Sequence, residues 1–476
     1  MSASVLVVAD NQPTLIDRAL RPLAQVQPGE GAIALLLFAC VFSILCAYYV
    51  LKTAREGLIL SGGTFGLRGD ELKLYATGAM AMVFVVIVPL YSAFASRVRR
   101  IRLINVSYLI VLACLVTFFA LGRAGAPISL AFYIWLGLLN MFLVAQFWSY
   151  ANDLYTEAQG KRLFAIIAIG GATGAIVGPW LTRFADTYSL MLAAAGMLAV
   201  CLGLFNLIEC ITVAHAPRAR AEVAKAPIGG AGGFSLVMRD RYLLAIAALA
   251  IIANLVNTTG EYVLSNVAAD HAAQVIPASA HAELMGAARD AAITADRREV
   301  IKAFYGDFFF WVNLVGFLVQ AFVVSRILGW LGVRGALFVL PVIAFGTYGT
   351  IAAIGGLALV RAAKIGENAT DYSLQNTVRQ ALFLPTARDV KYKAKVAIDT
   401  FFVRFGDTIS AIVVGIGIHQ LGLTGHELAL VNLGLIGVWL AIVAAVARGH
   451  RALTTEPLPA FAAADSLIET GAGVIP

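Results

Sequence analysis

The residues best able to do chemistry lie where the sequence is most apolar. Between Arg361 and Asp407 the chain carries Arg361, Lys364, Glu367, Asp371, Asp399, Arg404 and Asp407, with long apolar runs on both sides. A charged side chain at mid-bilayer costs roughly 2.5–3.5 kcal/mol on insertion scales, so groups at that depth need partners, water or a ligand. Arg361, Lys364, Glu367 and Asp371 step by three or four residues and share one helix face, as do Arg404 and Asp407. Cations left over after internal pairing suit an anion. Phosphate is the anion whose geometry the arginine fork matches best.

Other apolar segments carry smaller polar sets. Lys52, Arg55 and Glu56 share a face near the end of the first long run; they read equally as an anion site or as interfacial side chains that pair with one another. Asn140, Gln146, Ser149 and Asn152 lie along a fourth run, where amides also serve as helix-to-helix glue. Trp148 and Tyr150 beside them are expected at the membrane interface. Asn254, Asn257, Thr258 and Glu261 make a polar stripe on a seventh run, and Gly260 is expected to weaken that helix into a broken span. Gly170, Gly174 and Gly178 repeat every four residues, a spacing that lets two helices approach closely. No nucleophile–base set and no metal-ligand spacing stands out, so the chain is not read as an enzyme, and no cofactor or metal is expected. Cys40, Cys46, Cys114, Cys201 and Cys210 all lie in apolar segments.

The elements that must hold these residues follow from composition. The 476-residue chain is 60% hydrophobic and 13% charged, against about 45–50% and about 25% in soluble domains, and its mean hydropathy is +0.84. It reads as an all-α polytopic membrane protein. A span needs about 20 apolar residues, and twelve candidates appear, near residues 31–51, 73–95, 101–121, 128–150, 163–184, 189–212, 242–265, 304–325, 335–352, 354–378, 396–418 and 426–447. They form two six-helix halves, 31–212 and 242–447, joined by a basic, glycine- and proline-containing linker at 213–241. Residues 1–30, in which Leu15 to Leu23 is a possible interfacial helix, and 448–476 flank the halves, and a helical excursion outside the membrane is expected at 268–302. Lysine and arginine crowd one set of loops: Arg97–Arg102, Lys161–Arg162, Arg218–Arg241, Arg326–Arg334, Arg388–Lys395 and Arg448–Arg451. By the positive-inside rule both termini are then cytoplasmic, as in a bacterial inner membrane. The net charge of +7 sits in these loops, so it reads as a topology signal and no nucleic-acid partner is expected. This layout is that of the major facilitator architecture.

Several segments carry a closer resemblance. DYSLQNTVRQALFLP followed by KYKAKVAIDTFFVRFGD, with YYVLKTARE in the first span, QFWSYANDLYTEAQGKRLF after the fourth, ANLVNTT in the seventh and AFYGDFFF opening the eighth, resembles the ATP/ADP translocase family. That family comprises nucleotide exchangers of plastids and intracellular bacteria and many bacterial homologues of unassigned role. The resemblance implies a twelve-helix, facilitator-like carrier. It places Arg55 and Glu56 at a basic–acidic pair of the first span, and Arg379 where the family has a lysine. Asn257 stands where the nucleotide exchangers hold a glutamate, Leu136 or Gly137 where they hold an acid, and Gly406-Asp407-Thr408-Ile409-Ser410 where they have Gly-Lys-Ser-Gly-Gly. The chain thus resembles the divergent bacterial branch.

The expected function is secondary active transport, by alternating access, of a nucleotide or other phosphorylated or anionic metabolite. Lys52, Arg55, Asn140, Gln146, Asn257, Arg361, Lys364, Arg379 and Arg404 are the expected substrate contacts. Glu56, Glu261, Glu367, Asp371 and Asp407 are expected to pair with them or carry a coupling ion. The alternatives are a proton-coupled carrier of a different solute, or a membrane scaffold without transport. The lipid bilayer and a small anion are the partners expected.

Overall fold

A lipid-embedded chain must satisfy its backbone hydrogen bonds within itself, and the apolar runs do so as helices. The computed structural model describes residues 14–20, 26–62, 66–95, 100–155, 157–213, 233–354, 356–386, 390 and 394–455. Each of the twelve expected spans coincides with a helix: α1 (Gly31–Ser61), α2 (Gly69–Ala95), α3 (Arg100–Arg123), α4 (Ser129–Leu154), α5 (Glu157–Leu181), α6 (Ser189–Val213), α7 (Arg241–Val275), α8 (Ala287–Phe322), α9 (Val339–Ala353), α10 (Leu357–Thr370), α11 (Val403–His419) and α12 (Gly425–Thr455). Among the described residues, eight helices are long and apolar enough to cross a membrane unaided, and a ninth if Val324–Ala336 and α9, bent by 82°, count as one span. The protein is an all-α, multi-pass membrane protein.

α10 and α11 fall short of that test for a physical reason: a π-helical turn interrupts the helical run in each. Asp371–Gln375 joins α10 to Asn376–Ala381, and Ile398–Phe402 joins Lys395–Ala397 to α11. These widened turns fall in the charged stretch, and π turns are frequent at functional sites. α7 corrects the expected broken span. It runs unbroken through Gly260, whose missing Cβ leaves room for the Tyr348 hydroxyl. Residues 268–302 are largely helical. α7 continues to Val275 and α8 starts at Ala287, so those residues are mostly the projecting ends of two helices joined by a short turn.

The buried apolar residues form two clusters. One is drawn wholly from Val26 to Ile208; the other is centred on Val237 to Val446 and takes in Ile59 to Phe84 and Tyr133. Within the first, the glycine ladder of α5 seats against α1: a Cβ on Gly170 would lie 2.7 Å from the Phe38 carbonyl oxygen, and one on Gly178 would lie 2.6 Å from that of Cys46. Tyr150, expected at the interface, is fully buried and donates to Glu209 at 3.3 Å. The helix Leu15–Leu20 is tied to α1, because its Asp17 is buried and accepts from the backbone N–H groups of Gly29 (3.1 Å) and Gly31 (2.9 Å) at the start of α1. It thereby caps donors that a helix N-terminus leaves unpaired. Most of the 213–241 linker, the tail beyond residue 455, residues 1–13 and the basic Arg97, Arg99, Arg388, Lys391 and Lys393 lie outside the described residues.

Candidate functional site

A polar cavity of about 230 Å³ opens between the first and last six helices. α1 supplies Tyr48, Lys52, Arg55 and Glu56; α2 supplies Asp70, Lys73 and Thr77; α4 supplies Tyr133 and Asn140. Across from them stand Asn254, Asn257, Thr258 and Glu261 of α7, and Arg404 and Asp407 of α11. Phe309 of α8 and Tyr372 in the π turn after α10 complete an aromatic shelf.

The wall made by α1 and α2 is positive. Glu56 is 1% exposed and held between two cations, Arg55 at 2.6 Å and Lys73 at 2.8 Å. Lys73 also donates to Ser265 Oγ at 2.8 Å, and the Arg55 guanidinium lies 4.2 Å from the Tyr133 ring centre. One carboxylate therefore serves two cations. Lys52 adds a third: among the described residues its ammonium forms no ion pair, and it rests instead 4.1 Å from the Phe309 ring centre and 5.3 Å from that of Tyr49. Ring faces hold a cation without neutralising it, so its charge stays available to a ligand.

The opposite wall carries two carboxylates, Glu261 and Asp407, against one cation, Arg404. Asp407 accepts from Asn254 (2.6 Å) and Thr258 (2.6 Å) and pairs with Arg404 at 3.2 Å. Behind Glu261 sits Lys364, wholly buried, 3.2 Å from Glu367 and 3.8 Å from Glu261. Asn368 donates to Glu261 at 2.8 Å and Tyr348 donates to Glu367 at 3.3 Å. A second cavity of about 50 Å³ adjoins; Asn254 and Asn257 line both, and Glu367, Asp371 and Arg379 line only the smaller one.

Of the residues singled out from the sequence, Lys52, Arg55, Glu56, Asn140, Asn257, Glu261, Arg404 and Asp407 meet at the main cavity. The structure keeps others away from it. Gln146 faces α3 and donates to Ser107 at 3.0 Å. Arg361 pairs with Asp307 at 3.6 Å, and Arg379 lies 3.8 Å from Asp399. Lys364 and Glu367 are buried behind the wall, and Asp371 lies at the smaller cavity. Sequence reasoning missed Lys73. It was read as the start of a span, although Asp70 and Lys73, three residues apart next to an apolar run, carried the same signal as Arg404 and Asp407. The aromatic shelf was missed as well, because Phe309 and Tyr372 are single rings brought together only by packing.

Every described polar contact between the two sets of six helices lies midway along them or at one end. We call that end the far side; there α1 ends and α2 begins. Arg68 pairs with Asp270 (3.0 Å), Asn266 donates to Asp70 (2.9 Å), Thr187 donates to Glu299 (2.8 Å) and Lys302 donates to the Ala185 carbonyl (2.7 Å). Nearer the middle, Asn313 donates to the Ala175 carbonyl at 2.9 Å and Thr408 to that of Gly78 at 3.2 Å. Among the described residues none joins the two sets at the opposite end, where α1 begins and α12 ends.

No family model matches the chain. It is 22% identical over 349 residues to ADP,ATP carrier protein 1 of Chlamydia trachomatis serovar D, covering 63% of this chain and 61% of that protein. It is 22% identical over 457 residues to ADP,ATP carrier protein 1 of Chlamydia muridarum, covering 79% and 80%. The chain thus spans under two thirds of the first relative and four fifths of the second. Its fold superposes on the crystal structure of the nucleoside transporter NupG with a TM-score of 0.60 at 13% identity, over 89% of this chain and all of that one. The chain is therefore similar, at low identity, to the ADP,ATP carrier proteins, and its fold is like that of the transporter NupG.

Proposed function

We propose that the protein is a secondary transporter of an anionic, phosphorylated solute, with a nucleotide as the first solute to test. The observation that carries this is Lys52: a cation without an ion-pair partner among the described residues, on an aromatic shelf, inside a polar cavity beside Arg55 and Lys73. An anionic group entering there would meet three cations and two carboxylates, Glu56 and Asp70, on the same wall, and Tyr48, Tyr372 and Phe309 offer flat faces to a base or ring. Asn140 and Asn257 are positioned to orient polar groups. The relatives named as ADP,ATP carriers support the nucleotide class. Asp407, where exchangers of that class resemble a cation-bearing site, argues for a solute less highly charged than ATP.

Alternating access fits a cavity between two helix sets whose described polar contacts lie midway along them and at the far end. The loop lysines and arginines support a cytoplasmic position, in a bacterial cell, for the end where α1 begins and α12 ends. The test is uptake of labelled ADP, ATP and sugar phosphates into proteoliposomes, with and without the same solute inside. Saturable uptake by folded protein is expected, weakened by Lys52→Met. No uptake of any phosphorylated solute would overturn the reading.

A further inference from the structure

The buried group behind the cavity wall has more acid than it has base. Lys364 is wholly buried and meets two carboxylates, Glu367 at 3.2 Å and Glu261 at 3.8 Å. Glu261 reaches the main cavity and is held by Asn368. Glu367 is 4% exposed; its Oε1 takes Tyr348 and Lys364, while its Oε2 is buried with no hydrogen-bond partner. An ionised carboxylate with a bare oxygen in a membrane interior is expensive. With both acids ionised, one lysine leaves a net negative charge buried there. With Glu367 carrying a proton, Lys364 and Glu261 form a neutral pair and the excess disappears.

The surroundings give that proton a route. Glu367 lines the smaller cavity, whose volume of about 50 Å³ exceeds the ~10–15 Å³ that one water requires. Asp371, one turn on, and Arg379 line the same space, and Arg379 leads to Asp399 and Lys395 toward the end where α1 begins and α12 ends. The charged and titratable groups facing Glu367 are thus Lys364, Asp371 and Arg379 from its own helical run, Glu261 from α7 and Tyr348 from α9. The other lining residues from α7, α11 and α12 are Ala250, Ala253, Asn254, Asn257, Val403 and Trp439, none of which is charged.

From this arrangement we infer that Glu367 is the proton-binding site of the carrier, and that it couples solute movement to a proton through Lys364 and Glu261. The inference rests on the transporter reading above. A hydronium ion entering the small cavity would give up one proton, forming an O–H bond on the Glu367 carboxylate and leaving water, and Lys364 then neutralises Glu261. The main cavity keeps its positive wall and accepts an anion. When Glu367 releases the proton to that water, its carboxylate draws Lys364 back. Glu261, without Lys364, then draws on the cavity cations Lys52 and Lys73, which competes with an anion and weakens its binding. Proton and anion therefore move in the same direction.

The first readout needs no solute. Infrared difference spectra of the purified wild type at neutral pH should contain the carbonyl band of a protonated carboxylic acid. That band should be absent in Glu367→Gln and present in Glu261→Gln; a band unchanged in Glu367→Gln overturns the proposal. If Glu367→Gln does not fold, Tyr348→Phe removes the hydroxyl bonded to Glu367, so the band must move, and a stationary band overturns the proposal. The second readout uses ADP in proteoliposomes with the membrane potential clamped. An inward gradient of one pH unit should sustain about tenfold accumulation in the wild type and none in Glu367→Gln, which should keep gradient-independent counterflow. Equal gradient dependence in both proteins overturns the proton site while leaving the transporter reading standing. If ADP and the other phosphorylated solutes do not move but the band follows Glu367, the solute reading fails and the proton site stands.

Discussion

At the scale of single residues, the account turns on which charges are already used. Arg55 and Lys73 are both committed to Glu56, so removing either leaves a buried ion short of a partner, which typically costs about 3–5 kcal/mol. Lys52 has no such obligation. Lys52→Met is therefore expected to leave thermal stability nearly unchanged while weakening anion binding roughly tenfold or more, the scale of a lost charge-assisted hydrogen bond. Arg55→Met is expected to lower the melting temperature as well. Paired melting curves and binding isotherms separate the two cases. Asp17 makes a different prediction. Burial raises the affinity of its carboxyl for a proton, but the N–H groups of Gly29, Thr14 and Gly31 and the Thr14 hydroxyl outweigh it and hold the group below the usual carboxylate range. A depressed carboxylate stabilises the fold above its unfolded-state value and loses that stabilisation as pH falls through its folded value. Asp17→Asn should therefore lower stability at neutral pH and flatten the acid limb of a stability–pH curve. An unchanged acid limb would contradict the capping role. Much of this was legible in the sequence, since intramembrane charge is rare and announces itself. What could not be read was division of labour. Whether Arg361 faces a ligand or Asp307 depends on which helix packs beside it, and no spacing within one helix encodes that.

Helix-scale features explain why the sequence reading placed the elements well and their irregularities badly. Apolar length marks a span directly, and all twelve expected segments are helical. The break was assigned to Gly260 from its low helix propensity. Intrinsic propensity differs by only about 1 kcal/mol between glycine and alanine, and packing against α9 and α10 decides the outcome: a Cβ on Gly260 would collide with the Tyr348 hydroxyl and come within 3.1 Å of the Lys364 ammonium. The irregularities among the described residues include the 82° bend before α9 and the π turns at Asp371–Gln375 and Ile398–Phe402, and for the π turns the sequence gives no comparable marker. Gly260→Ala is thus expected to raise intrinsic helicity yet destabilise the protein by about 1–3 kcal/mol, as overpacking does, and to disturb the Lys364 cluster. Gly174→Ala belongs to the same class, since its Cβ would meet the Phe42 carbonyl of α1. Denaturation in detergent, compared with a control such as Gly196→Ala, where a Cβ meets nothing within 4 Å, measures both.

For the whole molecule, the contacts between the two sets of helices say which end is closed. Arg68, Asp70, Thr187, Glu299 and Lys302 gather on the far side, and Glu299 alone accepts the Thr187 N–H and hydroxyl and pairs with Lys302. Glu299→Ala should therefore loosen that end. In a cysteine-free background with Asn140→Cys in the cavity, a membrane-impermeant thiol reagent should label from the far side faster when Glu299 is replaced; equal rates would show that these contacts do not hold the end shut. The central claim is that the cavity binds a phosphorylated anion through Lys52. A ligand that binds only the folded state raises its stability, by about 2.7 kcal/mol at a hundred times its dissociation constant. The most direct test is a thermal-shift titration of the purified wild type and Lys52→Met with ADP, ATP, a sugar phosphate and inorganic phosphate. A rise in melting temperature with at least one of the four in the wild type, shifted to higher ligand concentration in Lys52→Met, is expected; no shift with any of them, or the same shift in both proteins, would contradict the claim.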